Sequence, residues 1–371
     1  MTNARVSRMS ATVLFSTAAI ALALSAASAV DARQGVPAHC LTGGCTIGFS
    51  RVGSVRDAPP NQLLDVLSLV RGPKGELATI ARTFDRVLVF GTNGTLLKSV
   101  GEKGTQRGQF MRVNKVIPIP GNQFIVRDFQ LGIATVLDAS FAVLRTAAAP
   151  HSIDLALGSG QYISAQHIRT PGLVGYPMHL LDDKFAVVRS FGADTPEYRS
   201  DMPRLMNRLV AAGPNNMVWA AAPGRYTFEE WDPRSGQRTR SLAVKSSWFV
   251  QSLRSAPLEN VRVRPSSLIE SIWHDGATLW SLSRVADAAW APRPGPPTER
   301  PFEVAQYDRT FDWVLEAIDP STGRVLASRR LSEAHWADAA SQLLSTRVPS
   351  ANPAEGYTVH VVIARLEVPS L

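Results

Sequence analysis

The sequence predicts an all-β fold made of six repeated units, and three observations lead there. Five segments share one design: "RVLVFGTNGTLLKSV" (86–100), "IATVLDASFAVLRT" (133–146), "MHLLDDKFAVVRSF" (178–191), "FEEWDPRSGQRTRSL" (228–242) and "VLEAIDPSTGRVLAS" (314–328). Each joins two β-rich runs through a tight turn of Asp, Asn, Gly or Ser, which is the hairpin signature. Their turns, aligned at Gly91, Asp138, Asp182, Asp232 and Asp319, recur at steps of 47, 44, 50 and 87 residues. Each hairpin also follows an apolar run, a Gly/Pro/Asn turn and a second apolar run, as in "NKVIPIPGNQFIVRD" (114–128) and "RLVAAGPNNMVWAAA" (208–222). A unit is therefore a four-stranded antiparallel meander, and a period of about 40 to 50 residues is that of propeller blades.

The elements follow in chain order. Arg5 and Arg8 precede the small-residue apolar run "ATVLFSTAAIALALSAASA", and no acid occurs before Asp31. A basic start, an apolar centre and a small-x-small cleavage site predict a secretory signal peptide over residues 1–29, cut near Ala29. The run is short and Ala/Ser-rich against the roughly 20 strongly apolar residues of a membrane span; a retained anchoring helix is the alternative. Residues 30–44 form an N-terminal segment, and the only two cysteines, Cys40 within it and Cys45 just after it, form "HCLTGGC". One C-x4-C lacks the second pair of a structural zinc site, so export to the periplasm or the exterior predicts a small disulfide loop.

Residues 45–371 make the six-bladed β-propeller, with blades at about 63–100, 112–146, 151–191, 205–243, 265–330 and 333–369. The last unit has one strong strand, "YTVHVVIARLEV" (357–368), and lacks an outer one, while "CTIGFSRVGSV" (45–55) is β-rich with no partner of its own. An open ring would leave two unpaired edges, so residues 45–55 are expected to complete the last blade. Asn93-Gly94 predicts a type I′ turn. The glycine-rich stretch "SVGEKGTQRGQF" (99–110) has neither a following helix N-terminus nor the Gly-Lys-Ser/Thr of a phosphate loop. It is a connector between blades, with Phe110 packed between them.

These residues carry a resemblance. "GEKGTQRGQF" followed by "VIPIPGNQFIVRDFQLGIATVLDASFAVLRT" resembles NHL-repeat sequences, in which a Gly-rich linker ends in Gly-x-Phe and the next blade opens with a strand, a Gly turn and a strand ending near Asp. The resemblance is to exported six-bladed NHL-like propellers of bacteria and is clearest over residues 50–146. Blade four departs from it with "AAAPGRYTFEEW", and the linkers after blades three, four and five lack the Gly-rich pattern. Such propellers include metal-dependent lyases and lactonases whose ligands surround the central channel, so the resemblance implies a divalent metal there if this chain is an enzyme.

In a four-stranded meander the mid-blade loops and the inter-blade linkers share one face. That face is expected to gather Arg82, Arg127, Asp128, His151, His167, Arg169, Arg225, Tyr226, Arg284 and His335 as candidate ligand-binding residues. Blade five adds a proline-rich insert, residues 284–309, expected to be a stiff lid or docking arm that exposes Trp290. Trp219, Trp273, Trp280 and Trp313 lie inside strand patterns and are assigned to the core between blades. No H-E-x-x-H or G-x-S-x-G occurs and the 7 histidines are scattered, so no catalytic residue is assigned. The formal charge of +8, or +6 without Arg5 and Arg8, is spread along the chain with no dense basic block, which argues against nucleic acid. The expected function is a monomeric, exported binding propeller for a protein, glycan or small anionic ligand. The alternatives are a metal-dependent lyase or lactonase and a scaffold of an envelope complex.

Overall fold

The computed structural model describes residues 40, 44–56, 64–81, 83, 85–168, 170–193, 207–251, 264–292, 310–333, 335–349 and 356–368. The signal segment, Arg82, Arg169 and most of the blade-five insert (293–309) lie outside the described residues. Among the described residues there is no α-helix, and six four-stranded antiparallel sheets form a six-bladed propeller.

Blade one contains β2 (Leu64–Arg71), β3 (Leu77–Ala81), β4 (Arg86–Phe90) and β5 (Leu96–Val100), and blade two β6 (Val113–Ile119), β7 (Gln123–Asp128), β8 (Ile133–Leu137) and β9 (Val143–Ala148). Blade three contains β10 (Leu155–Ala156), β11 (Tyr162–Ser164), β12 (Met178–Leu181) and β13 (Val187–Phe191), and blade four β14 (Leu209–Ala212), β15 (Val218–Ala221), β16 (Thr227–Asp232) and β17 (Gln237–Ala243). Blade five contains β18 (Leu268–His274), β19 (Leu279–Ala286), β20 (Phe311–Ile318) and β21 (Val325–Leu331). Blade six contains β22 (His335–Asp338), β23 (Leu343–Pro349) and β24 (Tyr357–Glu367), and β1 (Thr46–Arg56) is its outermost strand. The predicted closure is therefore present: β1 runs antiparallel to β24 from Thr46 opposite Glu367 to Arg56 opposite Thr358. Around the ring, each first strand touches the first strands of both neighbouring blades, so these strands wall a central channel.

Burial explains why the strands read as they do. Middle strands such as "LATIA" (β3) are buried at every position because blades cover both of their faces, and such strands lose polar alternation. Outer strands such as "QRTRSLA" (β17) face water along most of their length. The apolar core is divided into six clusters, one at each contact between adjacent blades. Trp219, Trp273, Trp280 and Trp313 occupy these clusters as expected, Trp273 stacking on Trp280 with ring centroids 5.8 Å apart.

The glycine-rich connector behaves as expected. Phe110 is fully buried between blades one and two, its N–H donating to the Glu102 carbonyl at 2.8 Å and its own carbonyl accepting from Gly104. Gly101 has φ +82°, and a Cβ there would come within 2.2 Å of the Phe110 ring, so this crossing needs glycine. The hairpin at Asn93-Gly94 differs from expectation. Only Gly94 has positive φ (+82°), and its N–H donates to the Gly91 carbonyl, giving a type I turn followed by a left-handed glycine and a bulge. The physical reason is the Asn93 side chain: its Oδ1 accepts from the Thr95 N–H at 3.1 Å, which stabilises the right-handed turn.

Cys40 and Cys45 form a disulfide. Both sulfurs sit in the cluster between blades five and six, beside Ile47 and Phe311. So short a loop removes little unfolded-state entropy, so reduction of the purified protein should cost no more than about 2 kcal/mol in thermal unfolding. Two thiols alkylated in undenatured, unreduced protein would contradict the pairing.

Candidate functional site

The shared face exists. A cleft of about 720 Å³ opens between blades two and three, lined by mid-blade residues Arg127, Phe129, Gln166 and His167 and by linker residues His151 and Ser152. Asn114, at the start of β6, lines both this cleft and a throat of about 290 Å³ at the head of the central channel.

Arg127, at the end of β7, is 3 % exposed. Its Nε donates to the His151 carbonyl at 3.0 Å, and its Nη1 donates to the carbonyls of Asp128 and Ile133. Burial lowers its pKa from the ordinary value, and the carboxylates of Asp128 and Asp154 offset part of that. Asp128 is fully buried and serves as a loop staple: its Oδ2 accepts from the N–H groups of Met111 and Arg112, and its Oδ1 from those of Gln130 and Leu131. His151 is half-buried, and burial, then Arg127, lowers its pKa. Beneath, fully buried His179 on β12 pairs its Nδ1 with Ser190 Oγ at 2.7 Å, and burial, followed by the nearby His151, pushes its pKa down to about 4.

The first strands bring a second set together in the throat. Lys115 Nζ lies 3.2 Å from Asp154 Oδ1, and Glu270 Oε1 lies 2.9 Å from Arg284 Nε. Burial works to raise the Asp154 carboxyl, but Lys115, the Ala165 N–H and the Ser152 hydroxyl together hold it below the ordinary range. Asp338 at the end of β22 is 3 % exposed, and its Oδ1 accepts from the N–H groups of Ala340 and Ser341. Burial raises its pKa to about 6 against the opposing effect of Lys115.

Of the residues expected on the face, Arg127, His151 and His167 thus meet in one cleft, with Asp128 directly behind it. Tyr226 is instead a core residue between blades four and five, 2 % exposed, its hydroxyl donating to Glu316 Oε2 at 2.5 Å. It lies immediately before β16 and is turned inward, on the same side as buried Phe228. Arg284 lies over the Phe311 ring at 4.6 Å while pairing with Glu270, so it belongs to the fabric of blade five. Half-buried Arg225 lies in the turn after β15, and Trp290 closes a turn in which its N–H donates to the Asp287 carbonyl. His335 opens β22, with Nδ1 2.7 Å from the Glu333 carbonyl and its ring stacked on Phe49. The throat residues Lys115, Asp154, Arg208, Glu270 and Asp338 were missed. Their signal was present, because Lys115, Glu270 and Asp338 are charged residues within the first strands of their units, as in "NKVIPI", "SLIESIW" and "HWADAA", and Asp154 and Arg208 stand immediately before theirs. Among the described residues no three His, Cys, Asp or Glu side chains are grouped so as to hold a metal.

No family model matches the chain, and no curated protein matches it. Among solved structures, a Bacteroides fragilis protein named for its predicted export is 11 % identical over 86 % of this chain and 95 % of that one, with a TM-score of 0.56. A member of the DUF4221 family from Bacteroides vulgatus is 9 % identical over 87 % of this chain and 99 % of that one, with a TM-score of 0.57. A virginiamycin B lyase from Staphylococcus aureus, 9 % identical over 86 % and 99 %, reaches 0.44, too loose a likeness to carry an argument. At such identities the first two likenesses speak to the fold alone, and the fold they share with this chain is the propeller.

Proposed function

We propose that the chain is an exported, NHL-like binding propeller that takes a small anionic ligand at the channel mouth between blades two and three. The observation that carries this reading is the fixed guanidinium of Arg127. Three carbonyls occupy its Nε and Nη1, so its remaining Nη2 is pre-oriented, and among the described residues no carboxylate lines the cleft it serves. The N–H groups left on Nη2 suit a charge-assisted contact to an oxygen of a carboxylate, phosphate or sulfate. Phe129, 61 % exposed, adds an apolar wall to the same cleft, which favours a ligand with an organic body, such as an acidic glycan. Export is supported by the signal pattern in residues 1–29 and by the disulfide. Among the described residues no helix is long and apolar enough to cross a membrane.

The test is calorimetric titration with acetate, phosphate, sulfate, glucuronate and a sulfated monosaccharide against wild type and Arg127→Lys, which keeps the charge but loses the carbonyl-anchored guanidinium and its Nη2 donors. Loss of a charge-assisted contact, ~1.5–3 kcal/mol, should weaken binding roughly 10- to 100-fold. Because His151 is held neutral at pH 7, binding should also tighten as pH falls and its ring charges. Equal affinity in a folded Arg127→Lys protein, or no anion bound by wild type, would reject the reading.

A further inference from the structure

The cleft between blades two and three offers more than a guanidinium, and its lining residues are joined by direct contacts. Arg127 Nε donates to the His151 carbonyl at 3.0 Å, and the next residue, Ser152, has its Oγ 2.8 Å from Ser164 Oγ on blade three. Two residues beyond Ser164 comes Gln166, and two beyond Arg127 comes Phe129, both lining the same cleft. The Phe129 ring is exposed, yet its backbone is pinned. Its N–H donates to the Arg112 carbonyl at 2.9 Å, and the Asp128 carboxylate accepts from the N–H groups of Arg112 and Met111 before it and of Gln130 and Leu131 after it. The Arg112 guanidinium lies 5.9 Å from the ring centroid and does not line the cleft. A large aromatic ring presented to water on a fixed loop is a platform that loses little conformational freedom when it is covered.

The remaining lining restricts what covers it. The side chains of Asn114 and Gln166 are exposed amides that can both donate and accept, and among the described residues no carboxylate lines the cleft. A carboxylated pyranose presents the matching set: one anionic group for Arg127, hydroxyls that donate and accept, and a face of C–H groups that packs on the electron-rich face of an aromatic ring. A bare phosphate or sulfate leaves Phe129 and the amides unused, and a purely hydrocarbon acid leaves the amides unused. The volume of about 720 Å³ falls in the range of roughly 300–1,000 Å³ that holds drug-sized ligands, a size that a disaccharide has and a lone anion has not.

We propose that this cleft is a subsite for a uronic acid residue of an oligosaccharide, with the carboxylate on Arg127 Nη2, the C–H face of the pyranose on Phe129 and hydroxyls on the Asn114 and Gln166 amides. The assignment rests on the anion reading of the same cleft and narrows it to one ligand class, with Phe129 as the residue that selects the ring.

The experiment is calorimetric titration of the mature protein with glucuronate and three partial mimics: gluconate, which has a carboxylate and hydroxyls but no ring, glucose, which lacks the carboxylate, and cyclohexanecarboxylate, which lacks the hydroxyls. Wild type should bind glucuronate roughly tenfold more tightly than each mimic, and a glucuronate-terminated disaccharide at least as tightly as glucuronate. Phe129→Ala, a change at an exposed ring that leaves the fold intact, should abolish the preference for glucuronate over gluconate, and Phe129→Trp should restore it. Equal binding of glucuronate and gluconate, an unchanged preference in Phe129→Ala, or exclusion of the disaccharide would overturn the proposal. If acetate and sulfate are still bound in those cases and lost in Arg127→Lys, the anion reading survives and only the uronate assignment falls; if wild type binds no anion at all, both fall.

Discussion

A protein lacking residues 45–56 should fail to form a monomeric, cooperatively melting propeller. Those residues are Cys45 and β1, and ten residues of β1 face partners along β24. Without them, β24 becomes an exposed eleven-residue edge, the kind of long unpaired strand that recruits other chains. The loss extends beyond backbone pairing. Ile47 and Val55 are 4 % and 1 % exposed and belong to the clusters on either side of blade six, so their burial alone contributes about 3–6 kcal/mol. A whole domain is stable by only ~5–15 kcal/mol. From blade five, Arg329 adds a hydrogen bond to the Ile47 carbonyl at 2.8 Å and covers the Phe49 ring. Size-exclusion chromatography and thermal unfolding check this: aggregation or loss of a single transition is expected, and a monomer with unchanged melting would show that the ring does not depend on this closure.

Glu316→Ala should be among the most destabilising single substitutions in the chain. Glu316 on β20 is 3 % exposed and accepts three hydrogen bonds, from the Tyr226 hydroxyl at 2.5 Å, Trp248 Nε1 at 2.8 Å and Ser328 Oγ at 3.0 Å. These donors come from blade four, from the linker that follows it and from blade five, so one carboxylate ties the two blades together. Burial, followed by the nearby Glu316, pushes the Tyr226 hydroxyl well above its ordinary pKa, so it remains a donor at every working pH. Truncation strands three donors in a closed site at ~1–3 kcal/mol each, a loss of about 3–6 kcal/mol with relaxation. Glu316→Gln keeps the volume and one acceptor and should cost about 1–3 kcal/mol, as should Tyr226→Phe. Denaturant unfolding of the three variants gives the order; a loss below 1 kcal/mol for Glu316→Ala would mean that water replaces the carboxylate and the tie is weak.

The same residues show how far the sequence could be read. Asp138, Asp182, Asp232 and Asp319, aligned only by spacing, all open the same outer turn, each Oδ1 accepting a backbone N–H two residues on. Such turns are legible because their chemistry lies within four or five residues. Two of them hold a surprise at the position where glycine is expected: Phe141 and Phe185 have φ of +60° and +63°. Their rings are buried against Phe124 and Tyr162, and that packing offsets the strain of the left-handed backbone. Tyr226 was misplaced for the complementary reason, since a residue just ahead of a strand gives no local sign of whether it faces the loops or the neighbouring blade.

What the sequence determined by itself is what repeats: strands, turns, the six-unit ring, the strand that completes it and the tryptophans between blades. Each rests on period-two patterns, turn residues or an edge that must be paired, all interactions short along the chain or between adjacent units. What only the tertiary structure decided is which side chains converge. Asp338 shares the throat with Lys115 and Asp154 although they are far apart in the chain, and Arg127 is aimed by a carbonyl 24 residues away. Those meetings depend on the direction of side chains at strand ends and on how the blades pack around the channel, which no local pattern encodes because they arise only when all six blades are in place.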